Sequence, residues 1–209
     1  MTDNILTLAQ KHLRVDTQLN KLIDAIPMDA PHPNTSSDVY LVLMDSIVSQ
    51  QLSVKAANTI FNRFCDLFPD RYPKPELVLA LDNEVMRSVG LSYQKAGYIK
   101  NVATFALEND FLTKDWSVMS DDDIVEYLVS IKGVGKWTVQ MLLMFSLGRT
   151  DIFPIDDLGI QNGMIKLYNI SETGKALKQK MVEFAAPWSP YRTFACRYIW
   201  KYKDSMPNL

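Results

Sequence analysis

The sequence contains little cysteine and little histidine. Cys65 and Cys196 are its two cysteines, and His12 and His32 are its two histidines. Two cysteines cannot build a disulfide framework, and neither histidine has a cysteine or acidic neighbour at the spacing of a metal-binding motif. These absences exclude a disulfide-rich secreted scaffold and predict a protein of a reducing compartment with no metal-binding residues.

Long apolar segments are missing as well. No uncharged apolar run reaches the length of about 20 residues that a membrane-spanning helix needs. The first residues, MTDNILTLAQKHLRVDT, lack the charged start, apolar centre and small-residue cleavage site of a secretion signal. We therefore expect an intracellular protein without a membrane partner.

An excess of charge is also absent. Lysine and arginine number 22, aspartate and glutamate number 24, and the formal net charge is -2. A chain that binds anionic partners through overall positive charge is thus excluded, and such binding would need a local basic surface. The cations nearest the motifs described below could form that surface or could be scattered solvating charges; they are Lys95, Lys100, Lys132, Lys136, Arg192, Arg197, Lys201 and Lys203.

The sequence also lacks the patterns that are typical of β-strands. We find no sustained alternation of apolar and polar residues and no Asn-Gly or Asp-Gly turn between two alternating runs. Apolar residues recur instead at helical spacing, and Ser53 and Ser92 precede two such segments, 54–64 and 93–108, as expected N-caps. The sequence predicts an all-α fold, with a turn-rich linker at residues 27–34.

The most informative stretch covers residues 120–161. It predicts a helix that begins at the N-cap Ser120, a hairpin at Lys132-Gly133-Val134-Gly135, and a second helix over 136–147. A short loop follows and ends at Asp156-Asp157, where the next helix is expected to begin. The stretch is therefore a helix, a glycine hairpin, a helix and an acidic loop.

The hairpin has two possible uses. Gly133 and Gly135 have no Cβ, so the chain can reverse sharply and expose backbone N–H groups at the start of the second helix. Such a helix start is an anion site, and phosphate contacts position a protein on DNA without reading bases. The same pattern also fits an ordinary hairpin between two core helices, and the residues alone leave both interpretations open.

Several motifs together resemble one family. IKGVGKWT at 131–138 and FPIDDLGI at 153–160 resemble the helix-hairpin-helix and Gly/Pro–Asp signature of the HhH-GPD DNA glycosylases, and are most similar to the 3-methyladenine DNA glycosylase II, or AlkA, type. IVSQQLS at 47–53, GLSYQKAGYI at 90–99 and WSPYRTFA at 188–195 agree with this. The resemblance extends from about residue 37 to about residue 200.

The resemblance implies a two-lobed helical fold with a cleft between the lobes. One lobe is expected to cover residues 36–112, and the other to combine residues 1–35 with residues 113–209. Longer family members begin with an extra β-rich domain. Because the first shared motif begins at Ile47, we expect a compact form without it, acting as a monomer.

The family's catalytic carboxylate is expected at Asp157. Asp156 and Asp157 could both simply cap the following helix. The register Asp157-Leu158-Gly159-Ile160 matches the family's catalytic aspartate, and Asp156 would then cap the helix or support the carboxylate. A purine alkylated on N3 or N7 is already a cationic leaving group, so no general acid is needed. The carboxylate would stabilise the oxocarbenium-like sugar and orient the attacking water.

Trp137 stands where bifunctional relatives have a lysine that forms a Schiff base with the sugar. Lys136 lies one place earlier, on another face of the helix. The resemblance therefore implies a monofunctional glycosylase that leaves an intact abasic site.

The resemblance also places a base pocket. Trp137 and Tyr191 match positions that are aromatic in the family, and a flipped cationic base would stack on such rings. Met141 replaces an aromatic residue found there in the family, which leaves the substrate range open. Trp137 could equally be a core residue of the hairpin helix, and Trp188 and Trp200 are expected in the core.

The remaining DNA contacts are expected at two turns. Gln51 matches the position that fills the gap left by the flipped base, although it could be an ordinary exposed turn residue. The expected DNA-binding residues are Gln51, Ser53, Lys132, Gly133, Val134, Gly135 and Lys136. Carbonyls of the hairpin could hold a monovalent cation, as in relatives, and no other cofactor is expected.

The resemblance thus implies a DNA-3-methyladenine glycosylase of base excision repair, which flips and excises 3-methyladenine and 7-methylguanine from double-stranded DNA. It would act in the cytoplasm or nucleoid of a prokaryote, or in the nucleus of a eukaryote. The alternative is a non-catalytic module that recognises damaged or distorted DNA through the hairpin, and a helical scaffold that binds only protein is a third interpretation. Asp157 discriminates the first two, because a binding module has no need of a carboxylate that repels phosphate. The scaffold interpretation leaves the glycine hairpin and the match of five motifs unexplained.

Overall fold

The computed structural model describes residues 4–29 and 38–205. These residues form twelve α-helices and four short 3-10 helices, with no strand among them, so the predicted all-α fold is confirmed. The α-helices are α1 (Ile5–Leu13), α2 (Thr17–Ala25), α3 (Val39–Ser49), α4 (Val54–Cys65), α5 (Pro75–Ala80), α6 (Asn83–Ser88), α7 (Tyr93–Glu108), α8 (Asp121–Val129), α9 (Lys136–Phe145), α10 (Leu158–Tyr168), α11 (Gly174–Ala185) and α12 (Arg192–Asp204).

Contacts divide the chain into two compact units. One unit is continuous, Thr35–Leu142, and the other combines Met1–Asn34 with Leu143–Leu209. Within the parts that the structure describes, no helix is long and apolar enough to cross a membrane. Residues 30–34 of the predicted linker lie outside the described residues.

The continuous unit is organised around α7, a helix of 16 residues. Ala96, Ile99 and Ala103 are fully buried on it at helical spacing, and the helix packs against α3 and α5. Each fully buried isoleucine of this kind contributes about 1.5–3 kcal/mol relative to an exposed one. The helix therefore forms because its apolar stripe is covered on both sides.

Serine side chains start three helices of this unit, as predicted. Ser53 Oγ accepts a hydrogen bond from the backbone N–H of Ala56, and α4 begins at the next residue. Ser92 caps α7 in the same way, and Ser120 caps α8. Such a cap satisfies one N–H that has no partner within the helix, and it is worth about 1 kcal/mol.

A half-buried carboxylate, Asp16, connects distant parts of the discontinuous unit. Asp16 caps α2 by accepting from the N–H groups of Gln18 and Leu19. Its Oδ2 also accepts from the Tyr168 hydroxyl at 2.8 Å and from Trp188 Nε1 at 3.0 Å. These bonds connect the N-terminal helices with the C-terminal part of the chain, and Trp188 is fully buried, as expected of a core residue.

A glycine lets α10 and α12 approach each other closely. A Cβ at Gly163 would lie 2.4 Å from Cγ2 of Ile199, a distance that no side chain tolerates without movement. The two helices are the most extensively packed pair of this unit. The start of α10 is thereby held beside the last turns of α12.

The division between units differs from the predicted lobe boundary in one segment. Residues 113–142 were expected with the C-terminal lobe, yet they cluster with residues 35–112. The reason lies in aromatic packing and hydrogen bonding: Tyr127 of α8 lies against Phe105 and Phe111, and Asn101 of α7 donates to the Lys132 carbonyl. Both ends of the chain belong to the discontinuous unit.

Candidate active site

Asp157 is the N-cap residue of α10. Its Oδ1 accepts a hydrogen bond from the backbone N–H of Ile160 at 2.8 Å and a second from Trp200 Nε1 at 2.9 Å. Two donors on one oxygen fix the rotation of the carboxylate about its side-chain bonds. The helix N-terminus adds a partial positive charge beside it. The side chain is half-buried, so a preorganised carboxylate lies at an accessible surface.

Trp200 is a site residue that the sequence pattern did not identify. Its expected core position is wrong, because the indole is half-exposed and bonded to Asp157. The Phe145 ring lies 6.0 Å from the Trp200 ring, between ring centroids, and is itself 49% exposed. An apolar, partly open wall therefore adjoins the carboxylate.

Gly159 gives the indole room to reach Asp157. A Cβ at this position would lie 3.0 Å from both Asp157 Oδ1 and Trp200 Cδ1. A larger residue would therefore push apart the two groups that share the hydrogen bond. The glycine of the sequence DDLGI thus has a local structural reason that its spacing alone did not reveal.

Asp156 has a different role from its neighbour. Its carboxylate is exposed and forms an ion pair with Lys178 of α11. Asp157, and not Asp156, accepts from the first turn of α10, so of the two roles expected for Asp156 the first, capping this helix, is wrong. Its carboxylate therefore lies on the surface, paired with a lysine.

Tyr191 precedes α12 and is half-buried. Its ring contacts His12 edge to face, with 5.3 Å between ring centroids. The next residue, Arg192, donates from Nε and Nη2 to the two oxygens of Asp151 at 2.7 and 2.9 Å, and Ser189 donates to the same carboxylate. Burial alone would raise the pKa of Asp151, but these hydrogen bonds outweigh it and hold the pKa below its usual 3.8.

The glycine hairpin lies in the other unit and has the sharp turn expected of it. Gly133 has φ +108°, a conformation that residues with a Cβ rarely adopt. A Cβ there would lie 2.3 Å from Cγ of Tyr98. Lys132, Gly135 and Lys136 are exposed, whereas the Val134 side chain is buried, so Val134 could meet a ligand only through its backbone.

Several predicted residues meet around one cavity of about 550 Å³ within this unit. Its lining residues are Gln50, Gln51, Ser92, Gln94, Lys95, Tyr98, Gly133, Val134, Gly135, Trp137 and Thr138. Trp137 is 50% exposed, so it is not a core tryptophan of the hairpin helix. Met141, one turn further along α9, is half-buried. The hairpin, the expected gap-filling residue Gln51 and the Trp137 indole thus share one concave surface.

Ser53 and the hairpin carbonyls complete the predicted set. Ser53 is exposed and engaged as the cap of α4. The Lys132 carbonyl accepts from Asn101, and the Gly133 carbonyl accepts from Gln50 Nε2 at 3.4 Å. A monovalent cation takes backbone carbonyl oxygens as ligands, so the donor type fits. Each carbonyl oxygen has two lone pairs, so one hydrogen bond from a side-chain amide leaves it able to bind such an ion.

Comparison with known proteins identifies the family. The profile of the HhH-GPD superfamily base excision DNA repair proteins matches residues 44–190. The chain therefore belongs to the HhH-GPD superfamily of base excision DNA repair proteins. The resemblance predicted from the motifs is confirmed, and relatives that match most of the chain are named 3-methyladenine DNA glycosylases.

Three matches, one to a sequence and two to solved structures, illustrate the similarity. The chain is 36% identical over 200 residues to DNA-3-methyladenine glycosylase 1 of Schizosaccharomyces pombe, covering 94% of this chain and 87% of that protein. The structure of an S. pombe 3-methyladenine DNA glycosylase in complex with abasic DNA matches with a TM-score of 0.78 at 34% identity, covering 92% of this chain and 95% of that one. A Bacillus halodurans DNA-3-methyladenine glycosidase matches with a TM-score of 0.77 at 33% identity, covering 93% and 88%.

Proposed function

We propose that this chain is a monofunctional DNA glycosylase that hydrolyses the N-glycosidic bond of alkylated purines, including 3-methyladenine and 7-methylguanine, in duplex DNA. DNA-3-methyladenine glycosylase activity in base excision repair follows from the family and from relatives that match most of the chain. The observation that carries the chemistry is the carboxylate of Asp157, oriented by Ile160 and Trp200 at a helix N-terminus.

The proposed reaction needs one anionic group and one water. As the bond between C1′ and the purine nitrogen breaks, its electron pair moves onto the cationic base, which leaves neutral. Positive charge develops on the sugar, and a carboxylate held beside C1′ stabilises it without reorganising. Water then bonds to C1′ and loses a proton to Asp157 or to solvent. The product is a free base and an abasic site.

Base recognition is assigned to aromatic side chains. A nucleotide must leave the stack before its glycosidic bond can be attacked, and the extruded base then needs a new surface. The Trp137 indole, half-exposed beside the cavity, offers such a surface, and a cationic purine gains both stacking and cation–π attraction there. Tyr191 and Met141 are further proposed pocket residues. Trp137 at the position of the Schiff-base lysine supports a glycosylase without lyase activity.

The proposed partner is double-stranded DNA bound by a monomer inside the cell. Gly133 and Gly135, with the exposed Lys132 and Lys136 beside them, precede α9, and the N-terminus of a helix favours a phosphate. A monovalent cation at carbonyls of this turn would add positive charge near that phosphate. Gln51, exposed on the rim of the cavity, is the proposed gap-filling residue.

The test compares two neighbouring carboxylates. Single-turnover release of 7-methylguanine from methylated duplex is measured for wild type, Asp157→Asn and Asp156→Asn. Loss of preorganised electrostatic stabilisation predicts a decrease of about 10²–10³-fold for Asp157→Asn. Asp156→Asn should stay within about threefold of wild type, because only a surface ion pair is lost. All three should bind duplex containing a tetrahydrofuran abasic-site analogue equally.

Two outcomes would contradict the proposal. Near-normal excision by Asp157→Asn would remove this residue from the mechanism. Binding of the abasic duplex without base release by wild type would instead favour the non-catalytic DNA-binding module.

A further inference from the structure

The turn that carries Gln51 has an unfavourable backbone conformation. After α3 ends at Ser49, Gln50 has φ -51° and ψ 128°, and Gln51 has φ +60°, in the left-handed region. For a residue with a Cβ this region is unfavourable, because the Cβ approaches the following carbonyl oxygen. Contacts from outside the turn must therefore stabilise this backbone conformation if the Gln51 side chain is to be held in one direction.

Lys95 supplies the strongest of these contacts. Its Nζ donates to the carbonyls of Val48 and Gln50, both at 2.7 Å. The last carbonyls of a helix have no partner within the helix, and a cation beside them is favoured by the helix dipole. Lys95 thus binds the C-terminal end of α3 from the first turn of α7.

A second contact connects the same turn to the glycine hairpin. Gln50 Nε2 donates to the Gly133 carbonyl at 3.4 Å. Gln50, Gln51, Lys95 and Gly133 all line the cavity of about 550 Å³. The turn, the lysine and the hairpin are consequently one polar assembly at the surface assigned to DNA.

We propose that Lys95 is a positioning residue for base extrusion: by holding the carbonyls on either side of the α3 C-terminus, it aims Gln51 into the gap that the flipped nucleotide leaves. This inference rests on the proposed function. Lys95 acts through Gln51, and its ammonium group is occupied by the turn.

Direct binding of a phosphate by Lys95 is the competing role, and the geometry argues against it. The ammonium is half-buried with two short bonds to carbonyls, and burial lowers its pKa. A lysine that contacts phosphate contributes about one unit to the slope of log K against log salt. A positioning lysine leaves that slope unchanged.

Lys95→Met tests the proposal, because it keeps the apolar stem and removes the donors. Lys100→Met is the matched control: Lys100 lies on the same helix and donates to the Leu81 carbonyl at 2.8 Å, away from the cavity. Gln51→Ala reports the effect of losing the gap-filling side chain itself. Thermal unfolding establishes that each variant is folded before it is assayed.

The first readout does not depend on catalysis. A duplex with 2-aminopurine opposite a tetrahydrofuran site is saturated with protein, and the fluorescence change reports occupation of the gap. Wild type and Lys100→Met should give the full change, whereas Gln51→Ala and Lys95→Met should lose most of it. A full change with Lys95→Met, or a reduction of its salt slope by one, overturns the inference. A full change with Gln51→Ala overturns it as well.

The second readout is excision. On a paired lesion, Lys95→Met should be slower by about tenfold or more, because both charge-assisted hydrogen bonds to the turn are lost. With the lesion opposite a tetrahydrofuran site, where no base pair must be opened, the loss should be less than about threefold. An equal loss on both substrates would indicate a merely structural role. Absence of base release by wild type would refute the proposed function, while the fluorescence would still decide the role of Lys95.

Discussion

Replacing Trp200 by phenylalanine removes one hydrogen-bond donor from the proposed catalytic carboxylate and keeps most of the ring. In the wild type, Asp157 Oδ1 accepts from Trp200 Nε1 at 2.9 Å and from Ile160 N–H at 2.8 Å. The variant retains the helix-cap bond alone. The carboxylate then has one fewer constraint on its rotation, while α10 keeps its cap.

The expected loss of rate follows from the strength of this bond. A hydrogen bond to a charged group is worth about 1.5–3 kcal/mol, and each 1.4 kcal/mol of transition-state stabilisation is a factor of about ten in rate. If the whole free energy of this hydrogen bond contributes to transition-state stabilisation, Trp200→Phe slows excision by about 10- to 100-fold. The free energy of unfolding should fall by only about 1 kcal/mol, because the indole is half-exposed.

Trp188 offers a matched control in the same unit. Its Nε1 donates to Asp16 at 3.0 Å, and Asp16 caps α2 just as Asp157 caps α10. Trp188 is fully buried, so Trp188→Phe should decrease the free energy of unfolding by about 1–3 kcal/mol through a lost buried hydrogen bond. Its excision rate per folded molecule should stay near that of wild type.

The assay is single-turnover release of 7-methylguanine with enzyme in excess, alongside thermal unfolding of each variant. Trp200→Phe should affect mainly the rate, and Trp188→Phe mainly the stability. A Trp200→Phe rate within about threefold of wild type would refute the argument that the bond orients the catalytic group. Equal rate losses in the two variants would refute it too, since a general loss of packing would then be sufficient.

Three further predictions concern other parts of the molecule. Trp137→Ala should slow release of cationic bases about tenfold more than it weakens binding of abasic duplex, because only the base stacks on the indole; equal losses would indicate a structural role. Gly133→Ala should lower the melting temperature and weaken DNA binding, because Gly133 has φ +108° and an added Cβ would lie 2.3 Å from a ring atom of Tyr98. Gly135→Ala is the control and should not clash, because no atom lies within 4 Å of the added Cβ. Asp151→Asn should destabilise the protein by about 1 kcal/mol at neutral pH. Hydrogen bonds from Arg192 and Ser189 hold the pKa of Asp151 below its usual value in the folded protein. The difference in free energy of unfolding between wild type and Asp151→Asn is therefore full above about pH 4, and it disappears as the pH falls through the depressed pKa. A difference in chemical denaturation that does not change with pH would contradict this prediction.

Local chemistry was predictable from the sequence. Ser53, Ser92 and Ser120 cap the helices expected of them, because an N-cap depends on a side chain and an N–H only three residues apart. Gly133 has the positive φ that a tight reversal requires. Features of this kind depend on a few neighbouring residues, so their spacing is enough to identify them.

Contacts between distant residues were not predictable in the same way. Trp200 lies 43 positions after Asp157, and no local pattern separates an indole that bonds a carboxylate from one that fills a core. Lys95 likewise lies 45 positions after Gln50, whose carbonyl it binds. Helix packing brings these groups together, and the sequence specifies that packing only through the whole set of buried side chains.

The assignment of the two adjacent aspartates was an intermediate case. The register of the family motif favoured Asp157, but capping was possible for either residue. The structure gives the cap to Asp157 and an ion pair with Lys178 to Asp156. One carboxylate therefore combines a structural bond with a position suited to chemistry, and its capping role does not argue against catalysis.

The decisive measurement is product analysis after incubation of the wild-type protein with methylated duplex DNA. We expect free 3-methyladenine and 7-methylguanine in solution, a DNA strand that breaks at the abasic site only after alkali, and no protein–DNA adduct with borohydride. Strand cleavage with a trapped adduct would show lyase chemistry and contradict the monofunctional assignment. Unchanged DNA with no released base would show that the hairpin and its cavity serve binding alone.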